Sequence, residues 1–150
     1  MRAVIQRVST ASVISDGQPT GNIARGLLIL VGIENDDTTE DASWLSDKIR
    51  QLRIFQDAEG KMNLALADVK GQILVVSQFT LHASTKKGNR PSFIKAARPE
   101  QAIPLYEYFK DHLSFHSEQQ IQSGIFGADM QISLINDGPV TIIIDSKNKE

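Results

Sequence analysis

Cysteine is absent from all 150 residues. That excludes disulfides, thiolate metal sites and a cysteine nucleophile. Long apolar runs are missing too: no stretch approaches the roughly 18–20 residues a membrane-spanning helix needs. The opening segment MRAVIQRVSTASVIS has its apolar residues interrupted by Arg2, Gln6 and Arg7, which is not a signal-peptide core. A soluble, cytoplasmic protein without a membrane partner is the expectation. Glycine-rich phosphate loops are lacking, and no G-x-S-x-G pattern surrounds Ser77. Overall positive charge is lacking as well. The formal net charge is −2, so the whole molecule is no polycation seeking nucleic acid.

What is present suffices for a core. Hydrophobic residues make up 41%, and the length fits one compact domain over residues 1–150. Ala3 to Val8 and Ala11 to Ile14 are rich in β-branched residues. Asp16-Gly17 signals a turn, and the run Leu27 to Val31 suits a strand buried on both faces. A helix is expected after Asp36-Asp37-Thr38, whose oxygens cap it, with Leu45, Ile49 and Leu52 as its apolar stripe. Met62 to Leu66 reads as a short strand and Ile73 to Val76 as a deeply buried one. Pro99 to about Leu113 reads as a second helix with Ile103, Tyr106, Phe109 and Leu113 inward. Pro104 does not suit a helix interior, so the regular part is expected to begin near Ile103. Two late strands, about Met130 to Ile135 and Val140 to Ile144, bracket Asn136-Asp137-Gly138-Pro139. The polar tail Ser146 to Glu150 is expected to fray. Many strands and two helices without βα alternation argue for α+β with mainly antiparallel sheets.

Three places carry candidate chemistry. Ser77-Gln78-Phe79-Thr80-Leu81 follows directly on the buried run, where a rigid strand end offers peptide N–H groups to a ligand oxygen. If the strand stays regular, Ser77 and Phe79 share one face, and Gln78 and Thr80 the other. The plain alternative is strand-end polarity. Gly138-Pro139 either forms an ordinary hairpin turn or offers a side-chain-free wall of backbone. Ser84 to Arg98 holds Lys86, Lys87, Arg90, Lys95 and Arg98 and no acid. This is a solvated loop or a phosphate-contacting one. His112 and His116, at i and i+4, suggest a metal only weakly because no third ligand is evident. His82 has no carboxylate partner in view, and a serine triad through Ser77 lacks its sequence context. No metal or cofactor is expected.

Together the segments AVIQRV from Ala3, RIF from Arg53, DAEGKMN from Asp57, VVSQFTL from Val75, RPSF from Arg90, ADM from Ala128 and NDGPVT from Asn136 resemble the D-aminoacyl-tRNA deacylase family over nearly the whole chain. The resemblance implies a barrel-like core of mainly antiparallel sheets with two packed helices, in a homodimer with active sites at the subunit interface. It implies that Ser77, Gln78, Phe79 and Thr80 border the aminoacyl ester. Gly138 and Pro139, joined by a cis bond, then enter the partner subunit's pocket, and Arg7 holds that loop. Phe126 and Met130 then neighbour the terminal adenosine. Lys86, Lys87 and Arg90 follow the pocket strand closely and, by their charge, are expected to contact acceptor-stem phosphates. The implied reaction is hydrolysis of D-aminoacyl-tRNA, and of mischarged glycyl-tRNA, at the 3′ end of the RNA. For such a reaction the vicinal 2′-hydroxyl of the RNA is the expected activator, with backbone N–H groups stabilising the oxyanion and Thr80 positioning; attack by Thr80 is the alternative, and no base for it is evident in the sequence. Three other readings stand beside it. One is a relative with a trans Gly-Pro bond accepting some L-aminoacyl-tRNA. Another is a non-catalytic tRNA-binding dimer. The third is a serine hydrolase built on Ser77.

Overall fold

The structure is a computed structural model and describes residues 1–115 and 121–149. Its first strand, β1 (Arg2–Ser15), runs through both β-branched segments without a break. The Asp16-Gly17 turn returns the chain as β2 (Gln18–Ile23), antiparallel to the second half of β1. β3 (Gly26–Gly32) lies against the first half. The last strand, β8 (Met130–Asp145), pairs with β1 along its whole length, from Ser15 with Met130 to Arg2 with Asp145. The two late strands expected from sequence are therefore one strand, and Asn136 to Pro139 is no hairpin turn.

β6 (Gln72–Ser77) lies parallel to β3, and β7 (Ile121–Ser123) parallel to β6. Between them in sequence come the helices α1 (Thr39–Arg50) and α2 (Pro99–Phe115). A minor hairpin, β4 (Phe55–Gln56) with β5 (Met62–Leu64), follows α1. The sheet is mainly antiparallel and curls into a nearly closed barrel, as expected. However, each helix sits in a crossover between two parallel strands, so the expected lack of βα alternation does not hold. Parallel neighbours need such a long connection, and the helix covers the sheet face it crosses.

Alternation along β3 and β6 builds two cores. Leu27, Ile29, Val31, Ile73 and Val75 face the helices and meet Leu45, Ile49, Tyr106 and Phe109. Leu28, Leu74 and Val76 face inward and meet Val8, Val13 and Ile23. That is why both runs are continuously apolar: a strand covered on two sides has no polar face. Each fully buried Leu or Ile side chain contributes about 1.5–3 kcal/mol relative to exposure.

Both helix starts are legible in physical terms. At α1 the Asp41 carboxylate accepts from the Thr38 N–H at 2.9 Å and the Thr38 hydroxyl at 3.1 Å, which satisfies an otherwise unpaired donor. The second helix begins at Pro99, not near Ile103 as expected. Its first full-turn bond runs from the Ala102 N–H to the Arg98 carbonyl at 2.8 Å. Pro104 deprives only the Glu100 carbonyl, and both residues lie on the exposed face, open to solvent. Ile103 is also on that face, 42% exposed, and Ala102 and Leu105 fill the inward positions instead. The tail differs from expectation too. Ser146 is buried, its hydroxyl donates to Asp41 at 2.8 Å, and Lys147 meets the same carboxylate at 2.7 Å.

Candidate functional site

β6 ends at Ser77. The Gln78 N–H still reaches the Val31 carbonyl at 2.8 Å, continuing the ladder one step. The chain then tightens into a single 3-10 turn, Phe79–His82. Strand alternation therefore stops, and the expected sorting of Ser77 with Phe79 and Gln78 with Thr80 does not apply. Gly32 makes the turn possible at this spot. A β-carbon on it would stand 2.9 Å from the Gln78 carbonyl oxygen and 3.1 Å from the Leu81 Cβ, so any side chain would lift the turn off β3.

The turn's first internal bond runs from Leu81 N–H to the Gln78 carbonyl at 3.2 Å. The N–H groups of Phe79 and Thr80 precede it and have no acceptor within the turn. The Thr80 hydroxyl accepts from the Gln78 side-chain amide. An amide N–H cannot take a proton from it, so no general base stands there. Among the described residues, no histidine or acid is hydrogen-bonded to Ser77 either. His82 is buried and is not among the residues lining the cleft described next.

That cleft holds about 220 Å³ between the strand end and the loop before β8. Val76, Ser77, Gln78 and Phe79 form one wall. Phe126, Gly127, Ala128, Met130 and Ile132 form the other. Five of the residues expected at the site thus share one hollow. Tyr106 braces Phe126 from behind, with ring centroids 5.6 Å apart, and its hydroxyl donates to the Val75 carbonyl at 3.3 Å. Burial pushes the Tyr106 phenol well above its ordinary value, so it stays neutral. Phe79 is 54% exposed and meets Phe93 edge-on, with centroids 5.0 Å apart. Sequence reasoning gave Phe93 no role. It anchors the basic loop beside the cleft. That loop is pinched where Ser84 and Ser92 exchange backbone bonds at 2.8 and 2.9 Å. Lys86, Lys87 and Arg90 are exposed on it, and none is paired with a described carboxylate.

Gly138 and Pro139 are not in this cleft. Val8 faces Asn136 and Gln6 faces Thr141. Opposite Arg7 there is thus a bulge of four residues, Asp137 to Val140, and the Gly138–Pro139 bond within it is cis. Arg7 is buried beneath the bulge. Its Nε donates to the Asp137 carbonyl at 3.1 Å and its Nη1 to the Ile54 carbonyl at 2.6 Å. The Asn136 amide, turned by its surroundings, donates to the carbonyls of Arg7 and Val140 at 3.0 and 3.2 Å. Gly138 has φ +127°, and a β-carbon there would meet Arg7 and Val140 at 2.9 Å. Only glycine fits.

The bulge and the cleft lie apart in one chain. Ser77 pairs with Val31 and Val31 with Ala3, whereas Arg7 pairs with Leu27. Four residues along extended strands is roughly 13 Å. Of the histidines weighed for metal, His112 stands 3.2 Å from the Asp47 carboxylate, and His116 lies outside the described residues. No helix among the described residues is long and apolar enough to cross a membrane.

Comparison with known proteins bears on the whole chain. A family model described as D-Tyr-tRNA(Tyr) deacylase matches residues 4–145. D-aminoacyl-tRNA deacylases of Akkermansia muciniphila and Flavobacterium johnsoniae are 63% and 61% identical over 150 residues, covering all of both chains in each case. The solved structure of a c-Myc DNA unwinding element binding protein matches with a TM-score of 0.91 at 41% identity, over 97% of this chain and 98% of that one. That of a probable eukaryotic D-amino acid tRNA deacylase matches at 0.80 with 17% identity, over 95% and 97%, and shares the fold.

Proposed function

The chain belongs to the D-Tyr-tRNA(Tyr) deacylase family and is a D-aminoacyl-tRNA deacylase, a hydrolase acting on ester bonds; from that premise we propose that it is a cytoplasmic homodimer in which the Gly138–Pro139 loop of each subunit completes the site of the other, where Ser77–Phe79 line the cleft and Thr80 the hollow next to it. One observation carries this reading. Two conformationally special segments stand roughly 13 Å apart along the same sheet, each lacking what the other has. The cleft offers donors without a wall that reads chirality. The bulge offers a backbone wall without a cleft.

The surface between them supports a second copy as the occupant. A hollow of about 890 Å³ beside Thr80 is lined by Val4, Leu52, Ile142, Ile143 and Ile144, with Arg2, Lys48, Asp145 and Lys149 among its polar residues. Ile143 is 68% exposed and Ile135 61%. Apolar side chains on neighbouring stretches of one strand are what a self-complementary two-fold contact buries.

In this reading the ester carbonyl lies against the free N–H groups of Phe79 and Thr80, which take the developing negative charge. One such donor contributes roughly 2.7–4 kcal/mol in transition-state energy. Thr80 positions the substrate rather than attacking it, since its neighbour Gln78 is no base. The vicinal ribose hydroxyl of the RNA activates the ester instead. Phe126 and Met130 flank the terminal adenosine. Lys86, Lys87 and Arg90 hold acceptor-stem phosphates.

Refusing the abundant L-amino acid requires a clash, at about 1.4 kcal/mol for each tenfold of rejection. A side-chain-free backbone wall at Gly138–Pro139 supplies it by reading the α-carbon and amino group. Glycine has nothing to collide, so glycyl-tRNA is also cleaved. The test is release of free amino acid from D-tyrosyl-, L-tyrosyl-, D-aspartyl- and glycyl-tRNA by the purified protein. Both D-esters and the glycyl ester should turn over while the L-ester persists. Equal rates on the mirror-image pair would overturn the chiral wall, and tRNA binding without cleavage would leave a binding dimer.

A further inference from the structure

The turn that bears Phe79 and Thr80 is gripped at its Leu81 end, on the wall of the larger hollow that Arg2, Thr80 and Asp145 share. Within the turn, Ala83 N–H bonds the Thr80 carbonyl at 3.0 Å, so the next carbonyl, that of Leu81, has no backbone donor. Arg2 supplies one. Its Nη1 donates to the Leu81 oxygen at 2.8 Å, across 79 positions of sequence.

The guanidinium is not free to swing. Its Nε and Nη2 both donate to Asp145 Oδ2, at 2.9 and 2.8 Å, and the two residues face each other directly across β1 and β8. Asp145 is fixed in turn: its Oδ1 accepts from the Lys147 N–H at 2.9 Å. Burial alone would raise the Asp145 carboxyl, but the Lys147 N–H and the guanidinium hold it below the usual carboxylate range. A planar fork with two arms on a carboxylate has one direction left for its third donor. That direction is the Leu81 carbonyl.

We propose that Arg2, oriented by Asp145, is a positioning residue that sets the pitch of the 3-10 turn through Leu81 and so aims the Phe79 and Thr80 N–H groups at the reacting carbonyl. The proposal rests on the assignment of those two groups to the oxyanion. Arg2 is not among the residues lining the cleft at Ser77–Phe79. Its effect reaches the chemistry through the backbone and belongs to the transition state rather than to binding.

The experiment compares Arg2→Met, Arg2→Lys and the unaltered dimer on D-tyrosyl-tRNA, with amide hydrogen exchange followed over Phe79–Ala83. Arg2→Met should lower kcat about tenfold with KM within twofold, because the lost interaction is felt only in the transition state. Exchange at the turn should quicken about tenfold while the dimer persists. Arg2→Lys, which keeps the charge and loses the fork, should fall between. Unchanged kcat, or a raised KM at constant kcat, overturns the proposal. If Arg2→Met does not fold, Asp145→Asn leaves the cation without its ionised partner and should cost about threefold in kcat; no loss there overturns the proposal equally. An unaltered dimer that releases no amino acid would sink the functional reading, while unchanged exchange in Arg2→Met sinks the clamp.

Discussion

The Ser77–Thr80 turn and the Gly138–Pro139 bulge are built on opposite plans. The turn grows out of β6, a strand covered on both faces, and its wall partners lean on the cores to either side, Phe126 on the helix-side core and Met130 on the inner one. The bulge grows out of β8, whose side chains alternate between half-buried and exposed. It rests on one buried guanidinium and one amide. In the proposed reading, the part that holds donors is rooted in a strand buried on both faces, and the part that reaches the other subunit is fixed only at its base.

Mixed dimers test that division most severely. Gly138→Ala should disable the wall, and Ala128→Trp should fill the cleft. Each alone should lose at least about 100-fold in turnover, near 2.7 kcal/mol. Unfolded and refolded together, they should recover roughly a quarter of normal activity, since half the dimers are mixed and each has one intact site. No recovery would mean that wall and cleft work within one chain. Arg7→Ala should come next. It leaves the Asp137 and Ile54 carbonyls unsatisfied, at about 1–3 kcal/mol each where buried. Urea denaturation should show that loss together with a weaker preference for the D-ester.

Thr80→Val should be milder, less than about tenfold in single-turnover rate, if the hydroxyl only positions. Near-complete loss with intact binding would make Thr80 the nucleophile. Acid separates the two regions by another route. The turn's brace contains a carboxylate, Asp145, held below its ordinary value, while Arg7 rests mainly on carbonyls. Stability from Asp145 is present above the ordinary carboxylate pKa of about 3.9 and is lost as pH falls through the lower folded value. Melting temperature should therefore drop less between pH 5 and pH 3 in Asp145→Asn than in the unaltered protein. The smallest effect belongs to the basic loop. Replacing Lys86, Lys87 and Arg90 by Gln should weaken all tRNAs alike. It should also flatten the salt dependence, by about one unit of slope for each phosphate no longer neutralised.

Much of this was legible early because it is local. The double-faced apolar runs of β3 and β6, the cap at Thr38 and the polar step at Ser77 follow from periodicity and side-chain chemistry. The errors share a cause. Ile103 points outward and Pro104 is tolerated because of which helix face meets the sheet. The tail is ordered because Asp41 waits for Ser146 and Lys147. The parallel crossovers depend on where distant strands dock.

By itself the sequence determined which strands are buried on both faces, the turn at Asp16-Gly17 and the cap at Thr38, since those depend on neighbours within a few residues. Only the tertiary structure decided that Phe126 and Met130 face Ser77 and Phe79, that Asn136 to Pro139 is a bulge in a continuous strand, and that Arg2 reaches Leu81. Such pairings join residues some 50 to 130 positions apart. No local preference specifies them; they arise when the sheet closes and a single register satisfies both cores at once.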